Sequence, residues 1–206
     1  MSDSKKLPLC TERLFMEKIV FLNRCATKYI VVGIDPVNFN VMGRICDAEA
    51  GANVTLNYDD FFELISHLVA ELNGYFLDSI RYSDVSFHIE KDFCWFTQKT
   101  RPDEKVTLEH REVYQIYSIV RFLYGEMKLC CNFKSEYEKH IAEYHILTNN
   151  MNAEETSEFL ERRQVETREH STEYRIISDI FFNVPYLSTL DRYQTLFKSK
   201  NKTFSN

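Results

Sequence analysis

The chain has 206 residues, 44% of them hydrophobic and 14% aromatic, which supplies a packed core and excludes a disordered protein. A net charge of −6 excludes a general affinity for polyanions, so any nucleic-acid contact must come from a local gathering of cations. No stretch approaches the roughly 20 apolar residues of a membrane span, and no apolar signal segment follows Met1 to Lys6. Six scattered cysteines without a C-x-x-C pair read as reduced thiols, so the expected setting is intracellular, nuclear or cytoplasmic.

Residues 1–16 read as an arm. Ile19-Val20-Phe21-Leu22 and Tyr29-Ile30-Val31-Val32-Gly33-Ile34 are short, β-branched runs bounded by polar residues, and so predict two strands. Asp35-Pro36-Val37-Asn38 is a turn, Phe39 to Ile45 a third strand, Asp47 to Gly51 a loop, and Val54-Thr55-Leu56 a short closing strand. The period then changes. Phe61, Leu64, Ile65, Leu68 and Leu72 follow helical spacing, with Asn57 as the cap and Asn73-Gly74 as the stop.

Val85, Phe87 and Ile89 alternate with polar residues and predict another strand, followed by Phe93-Cys94-Trp95-Phe96-Thr97. Thr100 to Glu104 reads as a loop containing proline. Val106-Thr107-Leu108 leads to a helix through Val113, Ile116, Tyr117, Val120 and Tyr124. Cys130 to Asn149 suits a helix, Asn152 with Glu155 opens a charged one reaching about His170, and Tyr174 to Val184 is apolar up to Pro185. Ser188 to Lys198 suits a last helix before a basic tail.

Val54-Thr55-Leu56 and Val106-Thr107-Leu108 stand 52 residues apart, and the register holds through the helices: Leu64 matches Ile116, Leu68 matches Val120, Leu72 matches Tyr124. A fixed period of this size predicts one supersecondary unit used twice. The expected fold is α+β: an arm (1–16), two antiparallel-sheet-plus-helix units (17–75 and 76–129) clasped helix to helix as an internal pseudo-dimer, and a helical extension (130–206).

Gly51-x-x-Val54-Thr55-Leu56-Asn57-x-x-Asp60-Phe61-x-x-Leu64 after a predicted sheet resembles the single-stranded-DNA-binding transcriptional coactivators of the positive cofactor four family. Val106-Thr107-Leu108 with Val113-Tyr114 carries the same pattern, so the resemblance covers roughly residues 17–126 as two copies. It implies helix-to-helix pairing and two neighbouring concave sheet faces that bind single strands. The family's loop before the strand is basic. In the first copy that loop holds Asp47, Glu49 and Ala52 instead. In the second, Lys99, Arg101 and Lys105 stand beside Asp103 and Glu104.

Single-strand binding needs aromatic faces for bases and cations for phosphates. The second copy offers Arg81, Tyr82, His88, Lys91, Trp95, Phe96, Lys99, Arg101 and Lys105; the first offers Arg24, Lys28, Tyr29 and Arg44. Arg81, Lys99, Arg101 and Lys105 are expected to hold phosphates, and Tyr82 with Trp95 or Phe96 to stack. Alternation allows only one of Trp95 and Phe96 on the open face. Phosphate-loop, dinucleotide and nucleophile-elbow motifs are absent, as is zinc-like ligand spacing, so neither an enzyme nor a cofactor is expected.

The expected function is therefore non-sequence-specific binding of single-stranded DNA or RNA in transcription or replication. The C-terminal helices are expected to contact protein partners, and a homo-oligomer is compatible with this. The alternative is a non-enzymatic assembly protein that kept the fold and lost the binding. The content of Asn, Tyr, Phe and Lys fits an AT-rich coding genome, such as a viral one.

Overall fold

The computed structural model describes residues 13–36, 38–75 and 84–183. It is an α+β structure with two antiparallel sheets and, among the described residues, five helices. The first sheet is a meander of β1 (Phe15–Phe21), β2 (Lys28–Ile34), β3 (Val41–Asp47) and β4 (Ala52–Asn57), paired in that order. Helix α1 (Tyr58–Leu72) follows at once. Asn57 caps it by accepting the Asp60 N–H at 2.9 Å, an interaction worth about 1 kcal/mol. Phe61, Leu64, Ile65 and Leu68 on one helix face are fully buried, as their spacing predicts.

The second sheet is a shorter meander of β5 (Val85–Ile89), β6 (Phe93–Gln98) and β7 (Arg101–Glu109). The segment expected as a loop from Thr100 to Glu104 is mostly strand, because β7 begins at Arg101. Helix α2 (His110–Ser118) follows, and a new helix, α3 (Val120–Thr148), starts after a break at Ile119. The Ser118 hydroxyl donates to the Gln115 carbonyl at 2.7 Å, and such a bond competes with the helical ladder at this point. Tyr117 and Tyr124 were expected in the apolar seam but are 52% and 46% exposed.

The expected boundary at residues 129 and 130 falls inside α3, which runs 29 residues without interruption. Nor is α3 an appendage: it packs on β2 and β3, and its Tyr137 ring lies 5.4 Å from that of Phe15. Helices α4 (Ala153–Glu166) and α5 (Thr172–Asn183) complete the layer, with α5 against β1. One continuous apolar cluster joins both sheets and all five helices.

Residues 13–16, expected in the arm, belong to the fold. Leu14 and Phe15 are fully buried, and β1 starts at Phe15 with a bulge before Lys18. At the bulge Met16 takes φ 54°, and its N–H donates to the Asp179 carboxylate of α5 at 2.9 Å. The Tyr137 hydroxyl donates to the same carboxylate, and burial with that neighbouring charge pushes the phenol well above its usual range.

The two sheets meet where β4 lies beside β7, and α1 packs on α2. Backbone N–H groups on each side of this junction donate to side chains on the other. The Thr55 N–H donates to Gln98 Oε1 at 3.4 Å, and the Thr107 N–H to Asp47 Oδ2 at 3.5 Å. Each acceptor is the last residue of the strand preceding its own unit's Val-Thr-Leu strand. Among the described residues no helix is long and apolar enough to cross a membrane. The expected helix from Ser188 to Lys198 lies outside the described residues.

Candidate nucleic-acid interface

Strand alternation decides which side chains of the second sheet face outward. Cys94 and Phe96 on β6 stand opposite Leu108 and Val106 on β7, and all four are fully buried. Phe96 is therefore core and presents no stacking surface, contrary to its place among the candidates. Burial also pushes the Cys94 thiol up to about 12, which keeps it protonated. Trp95 must point the other way. It is flanked by His88 of β5 and Thr107 of β7 in the ladder register.

Around the half-buried Trp95 ring the neighbours are those a base-stacking platform uses. The His88 ring lies 5.3 Å away, tilted by 32°, and Lys105 Nζ sits 4.6 Å from the indole centroid. Lys105 leans across from the diagonal position on β7, where its ladder partner is Thr97. Such an exposed cation–π contact is worth about 0.5–1 kcal/mol, whereas stacking a base is worth about 1–3 kcal/mol. A base can thus displace the ammonium at a net gain and leave it beside the attached phosphate.

The other candidates divide by their surroundings. Lys91 in the β5–β6 turn and Lys99 in the β6–β7 turn are exposed on the same sheet. Arg101 is half-buried, and its guanidinium donates to Glu104 at 2.8 Å, Gln98 at 3.1 Å and Asn53 Oδ1 at 3.2 Å. It ties the two sheets together rather than presenting an open fork. Arg81 and Tyr82 lie outside the described residues.

The first sheet does not match the second. Tyr29 is buried with its ring 6.0 Å from that of Phe21, and Arg44 is only 4% exposed. Neither offers a surface to a strand, so both are corrected from binding residues to interior ones. The reason lies in the outward face of this sheet, where Leu14, Tyr29, Val31 and Cys46 form an apolar cluster of their own. Lys28 is bound to the buried Asp47 carboxylate, which also accepts the Ala50 N–H at 3.1 Å. Removing one partner of a buried pair costs about 3–5 kcal/mol, so this lysine stays where it is.

Arg24 is exposed in the β1–β2 turn, on the rim of a groove of about 1040 Å³. The groove runs between that turn and the β7–α2 corner, and Thr107, Glu109, Arg111 and Gln115 line its far wall. Its two sides are bridged by Asn23, which donates to the buried Glu112 carboxylate at 3.4 Å, and by Gln115, which donates to the Phe21 carbonyl at 3.3 Å. Arg111 pairs with Glu109 at 2.7 Å, both well exposed, and such a pair is worth only about 0–1 kcal/mol. Sequence reasoning passed over Arg111 because nothing in its local pattern sets it apart; only the approach of the β1–β2 turn to α2 gives it a wall to stand on.

Among the described residues no three His, Cys, Asp or Glu side chains gather as a metal-binding set. Compared with protein families, curated proteins and solved structures, the chain matches none.

Proposed function

We propose that the protein binds single-stranded nucleic acid without strong sequence preference, on the outward face of the second sheet. The observation that carries this reading is the half-buried Trp95 ring, on the outward side of the sheet with Lys105 at 4.6 Å and His88 at 5.3 Å. Trp95 stacks a base. Lys105, Lys91 and Lys99 meet phosphates, and His88 extends the aromatic surface. Every base has a π-face, so this chemistry tolerates any sequence.

The same proposal takes the two sheet-plus-helix units as copies of one ancestral shape. The mirrored bonds of Thr55 to Gln98 and Thr107 to Asp47 support it, because each copy lends the same position to the other. So does the packing of β4 beside β7 and of α1 on α2. On this view the first sheet keeps the shape with an apolar outward face, and the second keeps the binding.

Binding is tested by titrating the intrinsic fluorescence with homopolymer oligonucleotides. The chain has one tryptophan, so with red-edge excitation that spares its 12 tyrosines the signal reports this site. Quenching that weakens as salt rises is expected. Three or so phosphate contacts on a single strand give a slope of log K against log salt of about −2. Unchanged emission at low salt with saturating oligonucleotide would sink the reading.

A second reading has one observation in its favour. Ile19 and Phe21 leave an apolar patch exposed on the first sheet, Phe21 at 51%. That suits an assembly subunit docked through this face, and under that reading the fluorescence does not respond to oligonucleotides.

A further inference from the structure

The groove at the β1–β2 turn is not separate from the Trp95 face. Thr107 is the ladder neighbour of Trp95 on β7 and also lines the groove, so the two share a wall. A strand stacked on Trp95 and running across β7 enters this groove next. Its volume of about 1040 Å³ is at the upper end of ligand clefts and suits an extended chain better than one small molecule.

We infer that the groove holds the continuation of the strand, with Arg24 from the first unit and Arg111 from the second as its phosphate contacts. This rests on the reading of Trp95 given above and names two further binding residues. Arg24 stands exposed at the rim, and Arg111 is held, among the described residues, by the exposed Glu109, a partner it can exchange for a phosphate. Lys28 in the same groove does not serve, because it neutralises the buried Asp47. Glu112 is likewise occupied, accepting the Glu109 N–H at 2.9 Å. Glu49 and Glu109 are the exposed carboxylates that line the groove and oppose a polyanion, so the groove accepts a strand only after one already has a hold at Trp95.

The test compares oligonucleotides of about 3 and about 12 nucleotides, both read by Trp95 emission. Arg24→Ser and Arg111→Ser should each weaken the long strand severalfold and flatten its salt slope by about 0.7, with the short one unchanged. Glu49→Gln should tighten the long strand alone. All three positions are exposed, and a thermal melt confirms that each variant folds. Equal effects on both lengths, or none on either, would overturn the groove's role while Trp95 still binds. If neither length alters the wild-type emission, the Trp95 reading itself falls and takes the groove with it.

Discussion

Gly43 lies so close beneath the ring of Phe61 that a β-carbon on it would stand 2.5 Å from that ring. Gly43 pairs with Leu56 in the ladder; in the second sheet Cys94 pairs with Leu108. The helix residue 52 positions after Phe61 is Val113. Under the proposed kinship of the two units, the pairing of no side chain with a large ring corresponds to a thiol and a small branched chain. Phe61 fills the space that a side chain at position 43 would take, as a close-packed interior requires.

Gly43→Ala should therefore destabilise by about 1–3 kcal/mol through overpacking. Phe61→Val alone should cost a few kcal/mol through the space it leaves. The double variant Gly43→Cys with Phe61→Val should cost less than the sum of the single changes, as measured by urea unfolding. Strict additivity would show that the two positions do not share one space.

Lys105→Met should shift the emission of the free protein, because it removes the charge 4.6 Å from the indole. It should also weaken oligonucleotide binding and lower the salt slope by about 0.7. Trp95→Leu should abolish most of the affinity, as followed by anisotropy of a labelled strand. Phe96→Leu should change stability and leave affinity alone, because that ring is buried in the core.

Lys28→Met should destabilise by about 3 kcal/mol, since it leaves Asp47 buried without its cation. The loss should reach further than the first sheet, because Asp47 also receives the Thr107 N–H from β7. Hydrogen exchange at Thr107 checks this directly: faster exchange is expected in the variant than in the wild type.

Helices α3, α4 and α5 meet at Glu173. Its carboxylate accepts from the Tyr144 hydroxyl and from Arg163 Nε, each at 2.8 Å. Burial pushes its pKa up, but the bonds from Tyr144 and Arg163 outweigh this and hold it below the ordinary carboxylate range. A depressed carboxylate contributes stability above the unfolded value, about 4.3, and loses it as pH falls through the folded value. The melting temperature should fall on acidification below that point. Tyr144→Phe should lower stability at neutral pH and make the acid loss shallower. An unchanged acid profile in the variant would show that the bond does not set this titration.

Local chemistry made much of this legible. Asn57, Asn73 and Gly74 mark the ends of α1, and the alternation of Val85, Phe87 and Ile89 marks β5. What stayed hidden depends on distant partners. That Trp95 rather than Phe96 faces outward follows from the β6–β7 register, which a run of two aromatics cannot disclose. Arg44 and Tyr29 read as surface residues, but the first sheet covers both its faces with apolar groups. The start of β1 at Phe15 escaped because its bulge is anchored from another helix.

That anchor has a consequence for the order in which the protein is completed. Asp179 leaves the ribosome 163 residues after Met16, which at ~5–20 residues per second is roughly 8–30 s later. Until then β1, the outer strand of its sheet, lacks the carboxylate that secures its bend. During synthesis the newborn chain has to shelter that edge by other means, and the charged pair Glu17-Lys18 sits within the strand where such protection is needed.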